Sequence, residues 1–124
     1  MVRLTYGRHL RITKRPLFQE CYSRGRRYLT ASFIIFIRPN DLPNFRLGIA
    51  VPGKVGTAVK RNRIKRLVRE CFRLNQYQVK IKSDIVVVCK RKPGLENLNQ
   101  AMVNNEIMTL LDRVARLKPG LDQS

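Results

Sequence analysis

At 124 residues and 44% hydrophobic, the chain suits a single domain over residues 1–124, with enough apolar side chains for a real core. Its 26 Lys and Arg against 8 Asp and Glu give a formal net charge of +18, which points to a polyanionic partner rather than a small-molecule substrate. Three widely spaced cysteines with no Cys-x-x-Cys pair, no apolar run near the length of a membrane span, and no signal-like segment in the basic start "MVRLTYGRHLRITKRP" predict a cytoplasmic protein with no membrane partner.

Taken in chain order, "LRITKRPLFQECYSRG" predicts a short first helix, with Thr13 as N-cap, Pro16 in an early turn and Gly25 as the stop. "RRYLTASFIIFIRP" is β-branched and aromatic and predicts extended chain. On it Ile34 and Phe36 point one way and Phe33, Ile35 and Ile37 the other, so this strand needs two covers. "PNDLPN" is a turn cluster, and "FRLGIAVP" is a second strand ended by Pro52. "GKVGT" is a loop leading into a basic helix from about Ala58 to Leu74. "SDIVVVCKRK" is a strand whose continuous apolar run predicts burial on both faces. Pro93-Gly94 turns the chain. From Leu98 to Leu117, the residues Val103, Ile107, Leu110, Leu111, Val114 and Leu117 recur at helical spacing and predict a helix that covers the sheet. The order helix, strands, helix, strand, helix predicts an α/β sandwich with helices packed on one small sheet.

The charge is unevenly spread. Residues 93–124 hold three basic and four acidic side chains, so residues 1–92 carry a net +19. Most telling is the helix "AVKRNRIKRLVRECFRL". At about 100° per residue, Ile64, Leu67, Val68, Cys71 and Leu74 share one side, and Asn62, Lys65, Arg66, Arg69 and Arg73 gather opposite. Lys65, Arg69 and Arg73 follow one another at four-residue spacing, and like-charge pairs at that spacing cost roughly 0.2–0.5 kcal/mol each. Lys60, Arg61 and Arg63 sit at the positive end of the helix dipole, where an exposed cation costs roughly 0.3–1 kcal/mol. An ordinary solvated face mixes its signs, yet here only Glu70 can answer, to Arg66 or Arg73. Phosphates would cancel these penalties together.

Other chemistry is poorly provided for. "GKVG" at Gly53–Gly56 lacks the rest of a P-loop, the single histidine, His9, sits in a basic stretch, and the carboxylates form no metal-holding cluster. Phe18 and Tyr22 share a helix face. By composition these rings and those of the strand read as core; the alternative is a stacking platform for single-stranded nucleic acid, with Arg11, Lys14, Arg15, Arg26 and Arg27 nearby in sequence.

"FRLGIAVPGKVGTAVKRNRIKRLVRECFR" closely resembles the signature of the bacterial ribonuclease P protein component. The matching positions are Arg46, Leu47 and Gly48; Lys54 and Gly56; then Ala58, Val59, Arg61, Asn62, Arg63, Lys65, Arg66, Arg69 and Glu70. The resemblance spreads more weakly over residues 8–92. One departure is Gly53, where many relatives have a basic residue. The resemblance implies a small mixed sheet of the ribosomal S5 domain 2-like type, with a left-handed β-α-β crossover around the basic helix. It implies a partner RNA that catalyses removal of the 5′ leader from precursor tRNA, with Mg2+ held mainly by that RNA. Lys60, Arg61, Asn62, Arg63, Lys65, Arg66, Arg69 and Arg73 on the helix, and Lys54 in the loop, would bind the RNA subunit. Phe18, Tyr22, Ile34 and Phe36 would form the groove for the leader of precursor tRNA, which moves those rings from core to platform.

Three other functions fit less well. A ribosomal or other structural RNA-binding protein explains the charge but not the Arg-Asn-Arg motif. A metal-dependent nuclease acting alone needs a carboxylate cluster. A DNA-binding regulator needs base-reading side chains, whereas six or more cations with one Asn suit backbone contact.

Overall fold

The computed structural model describes residues 11–117; His9 and the basic start before Arg11 lie outside them, as do the last seven residues. Helix α1 spans Arg15–Arg24 and is entered from Lys14, not Thr13 as expected, and the cap side chain makes no hydrogen bond. The Leu17 amide donates to the Lys14 carbonyl at 3.1 Å, so the backbone closes the first turn. Pro16 lies in that turn, where its missing N–H loses nothing. Gly25 ends the helix, but with φ −79° it is not in a left-handed conformation. A Cβ there would stand 2.4 Å from the Cys21 carbonyl oxygen and 3.2 Å from that of Ile37, so close backbone approach is what requires glycine.

The single extended stretch expected next is a hairpin. Strand β1 (Arg26–Leu29) pairs antiparallel with β2 (Phe33–Pro39), Arg26 opposite Ile37 and Leu29 opposite Ile34. The connection Thr30–Ser32 has no Gly, Asn or Pro to announce it. Glu106, far along the chain, organises it by accepting from the Thr30 hydroxyl, the Ser32 amide and the Ser32 hydroxyl, each at 2.8 Å. Lys90 Nζ adds a bond to the Thr30 carbonyl.

Strand β3 (Arg46–Ala50) leads through a short turn at Gly53–Val55 into α2 (Ala58–Leu74), and β4 (Ser83–Cys89) follows. The sheet order is β1-β2-β4-β3: β4 is antiparallel to β2 and parallel to β3. Two adjacent parallel strands joined through α2 make the β-α-β unit of the mixed sheet that the resemblance implies. Helix α3 runs Gln100–Leu117, two residues later than expected, because Leu98 ends a one-turn helix at Leu95–Asn97 in extended conformation. Gln100 ties α3 to α2 through a 2.8 Å bond to the Leu67 carbonyl.

Strand alternation then decides what is buried. Phe33, Ile35, Ile37, Leu47, Ile85 and Val87 face α2 and α3 and join the main core with Ile64, Val68, Phe72, Val103 and Ile107. On the reverse face α1 covers only a small cluster of Ile12, Cys21 and Val86, with Phe18 and Phe36 half-buried at its margin. As its apolar run predicts, β4 is buried on both faces. The apolar side of α2 differs from the helical-wheel reading at its end. Leu74 is 40% exposed, and the buried position belongs to Phe72, whose ring lies 5.6 Å from that of Phe45. The last residue of the helix overshoots the core, and the larger ring turns inward.

All three thiols are buried, free and neutral. Burial pushes Cys21 and Cys89 up to about 11 and Cys71 to about 12. A thiol reagent at pH 8 is therefore expected to leave the native protein unlabelled and to modify all three cysteines once denaturant is added, as mass spectrometry would read. The raised folded values also fix a sign. Between the unfolded thiol value, about 8.5, and the folded values, the unfolded chain holds fewer protons, so stability falls as pH rises through that window.

Candidate nucleic-acid interface

The basic helix opens with an effective cap. The Thr57 side chain accepts from the Lys60 amide at 3.3 Å, and no acidic residue stands in the first turn to answer the helix dipole. The structure sorts the cations that follow into anchored and free. Arg61 Nε donates to the Gly56 carbonyl at 3.2 Å, and the Arg63 guanidinium donates to the Leu98 carbonyl. Arg73 makes a two-pronged pair with Glu70 at 2.6 and 2.7 Å, which holds the Glu70 carboxyl below its ordinary value and largely cancels one positive charge. Lys60, Asn62, Lys65, Arg66 and Arg69 have no internal hydrogen bond or ion pair among the described residues; Lys65 is half-buried and the other four are exposed. Lys54 is exposed on the turn before the helix. Glu70, the one acid that could have quenched Arg66, is committed to Arg73, so the outer face keeps its charge.

The turn also leaves room for the residue type it lacks. A Cβ on Gly53 would meet nothing within 4 Å. Gly53→Arg is therefore expected to fold normally and to steepen the salt dependence of RNA binding by roughly 0.7–0.9 in the log–log slope, one added phosphate contact, as titrations at several salt concentrations would show.

The aromatic residues form a second surface on the other side of the sheet. Phe18, Ile34 and Phe36 are half-buried, and Tyr22 is 39% exposed. The Tyr22 ring meets Phe36 edge-on with centroids 5.0 Å apart and lies 6.5 Å from Phe18. Gly48 sets the height of this shelf, since a Cβ there would come within 2.7 Å of the Phe18 ring. Partial burial raises the Tyr22 hydroxyl above its ordinary value, so it stays a neutral donor. A 3.0 Å ion pair between Arg38 and Glu20 fastens β2 to α1 beside the shelf. Arg26 and Arg27 lie exposed on β1, and Arg11, Lys14 and Arg15 are exposed at the start of the described chain.

Two residues with strong roles escaped the sequence reading. Asp84, 1% exposed, accepts from Arg46 Nε at 2.9 Å, Arg46 Nη2 at 2.8 Å and Asn40 Nδ2 at 2.9 Å. Arg46 and Asp84 are register partners across β3 and β4, so the first residue of the Arg-Leu-Gly motif is a structural clamp. The bond to Asp84 raises the Arg46 value further. The other is Glu106, which shapes the hairpin turn. An acid inside the apolar run "SDIVVVC" was the available signal for the first; nothing local marks the second.

Among the described residues no three of His, Cys, Asp and Glu gather where they could hold a metal ion, and no helix is long and apolar enough to cross a membrane. The family model for ribonuclease P matches residues 6–115. The ribonuclease P protein component of Desulfovibrio desulfuricans is 46% identical over 97% of this chain and 94% of that protein. That of Syntrophus aciditrophicus is 42% identical over 91% of this chain and 93% of its own length. Among solved structures, the RNase P protein from Thermotoga maritima matches with a TM-score of 0.77 at 33% identity, covering 83% of this chain and 96% of that one. The Staphylococcus aureus RNase P protein matches at 0.72 and 31% identity, covering 85% and 94%. With its signature helix, its mixed sheet and these matches over most of its length, the chain belongs to the ribonuclease P protein family, the protein component of a tRNA-processing ribonucleoprotein.

Proposed function

We propose that this chain assembles with a ribonuclease P RNA in the cytoplasm, that the RNA performs the cut, and that the protein holds the 5′ leader of precursor tRNA. The single observation carrying this reading is the pairing of two surfaces of different chemistry. On α2, unpartnered cations suit the packed phosphates of a structured RNA. Across the sheet, half-covered rings suit the bases of a single strand.

No described cluster of carboxylates fits a magnesium ion. As the family resemblance implies, magnesium is assigned mainly to the partner RNA, and no protein side chain is given a part in water activation. The protein acts on binding: it neutralises phosphates, orients the substrate end and offers its bases a surface.

The test is a cleavage assay on precursor tRNA with protein freed of nucleic acid, magnesium present, followed by addition of the cognate RNA. No specific cut is expected before the RNA is added and turnover after it; specific cleavage by the RNA-free protein would overturn the reading. A companion expectation concerns the free cations. Lys60→Ala with Arg66→Ala should weaken binding to the RNA subunit and flatten its log–log salt slope by roughly 0.7–0.9 per lost contact. Thermal melts should match wild type, because both side chains are exposed and bond to nothing within the described chain. An unchanged slope would mean that this face is merely solvated.

A further inference from the structure

The cations of α2 do not all face the same way. Lys65 and Arg69, one helical turn apart, line a groove of about 250 Å3 together with Ile12, Phe18, Leu47 and Ile49. Arg66 follows Lys65 by one position, about 100° around the helix, and is not part of this groove.

The groove passes from one face of the sheet to the other. Leu47 pairs with Ile85 and belongs to the main core under α2, whereas its neighbour Gly48 carries Phe18 of α1 on the reverse face. A channel touching Leu47, Ile49 and Phe18 at once must bend around the edge of the sheet. That edge is β3, the terminal strand in the order β1-β2-β4-β3. The chain just before α1 covers the beginning of the strand, with Arg11 bridged to Leu47 and the Ile12 amide donating to the Leu47 carbonyl at 2.8 Å.

We propose that this groove is a phosphodiester site for single-stranded RNA, taking the leader from the aromatic shelf around the β3 edge onto Lys65 and Arg69. The inference rests on the shelf being the leader surface, and it divides α2 between two RNA strands: Lys65 and Arg69 serve the substrate, Lys60 and Arg66 the RNA subunit. The chemistry matches at each point. Lys65 and Arg69, two cations without internal partners among the described residues, line the groove together with Arg11, the half-buried Phe18 ring and the apolar side chains of Ile12, Leu47 and Ile49. A strand that lays a base on an aromatic ring must carry its next phosphates somewhere, and cations flanking the ring are where single-strand sites place them.

The test uses the enzyme reconstituted at saturating RNA subunit with wild-type protein, K65Q/R69Q, K65R/R69K, R66Q or Tyr22→Ala. Affinities are measured over a range of salt for mature tRNA, for precursor with a one-nucleotide leader and for precursor with a long leader. K65Q/R69Q is expected to flatten the salt slope for the long leader by about 1.4, two contacts at roughly 0.7 each on a single strand. Binding of mature tRNA and of the short leader should stay as in wild type. K65R/R69K keeps both charges and should keep the wild-type slope. R66Q should weaken assembly with the RNA subunit and leave the leader-dependent part intact. Equal losses for mature and long-leader RNA in K65Q/R69Q, or no change in slope, would overturn the proposal. If Tyr22→Ala loses leader preference while K65Q/R69Q keeps it, the shelf stands and the groove falls. If neither loses it, both readings fall.

Discussion

Phe33→Ala is expected to destabilise the fold by about 3–5 kcal/mol, while Phe36→Ala, on the same strand, chiefly weakens binding of precursor tRNA. The two rings differ by strand alternation. Phe33 is fully buried among the residues under α2 and α3, and its removal leaves a cavity that the packed helices cannot close. Phe36 faces α1, which covers it only in part, and its main ring partner is Tyr22, itself 39% exposed. Its truncation removes a stacking surface worth roughly 1–3 kcal/mol per base. Thermal melts of Phe33→Ala, Phe36→Ala and Tyr22→Ala, beside affinities of the assembled enzyme for precursor and mature tRNA, separate the effects. Precursor binding should fall several-fold or more in the Phe36 and Tyr22 variants, with mature tRNA nearly unchanged. A Phe36 variant as unstable as the Phe33 variant, or equal losses for both RNAs, would return the shelf to the core.

Asp84→Ala should cost about 3 kcal/mol, at the lower end of the range for breaking a buried pair by removing one partner. The Asp84 side chain is 1% exposed and that of Arg46 23%, so the stranded guanidinium keeps some access to water. Replacing both, Arg46→Met with Asp84→Leu, should recover most of the loss, because an apolar pair of similar volume carries no desolvation penalty. Urea unfolding with unchanged slope would give both values. A double variant no more stable than Asp84→Ala would mean that the pair sets the β3–β4 register and is more than a local contact. RNA binding by the double variant, if folded, should match wild type, since Arg46 serves the sheet and its guanidinium is turned to Asp84.

Residues whose behaviour depends on close neighbours in sequence were legible early. Helix α2 could be bounded from Ala58 to Leu74 because a Gly-rich loop precedes it and its apolar positions recur at helical spacing, while the Thr57 cap emerged only in the structure. The division of β2 into Phe33, Ile35 and Ile37 on one side and Ile34 and Phe36 on the other followed from the two-residue period of a strand, and the double burial of β4 from its unbroken apolar run; which side of β2 is the main core was decided by the packing of α2 and α3. The chemistry of the partner was also legible, since like charges set against the helix dipole make sense only beside an anion.

What the sequence determined by itself was therefore the class of partner, the bounds and charged face of the basic helix, and which residues of a strand share a side. These depend on charge count and on periods of two and 3.6 residues, which are local properties of the chain. Only the tertiary structure decided how those parts are used. The hairpin at Thr30–Ser32 rests on Glu106 across the molecule, Gly25 is crowded by the Ile37 carbonyl of β2 in addition to the closer Cys21 carbonyl of its own helix, and the Arg46 guanidinium is turned to Asp84. The sorting of the cations on α2 is of the same kind. Arg63 is held by a carbonyl 35 residues away, Arg73 by Glu70, and Lys65 and Arg69 look into a groove that exists only where β3, α1 and α2 come together. Each of these outcomes is a contact between segments whose meeting is set by the sheet order, and no periodicity along the chain encodes that order.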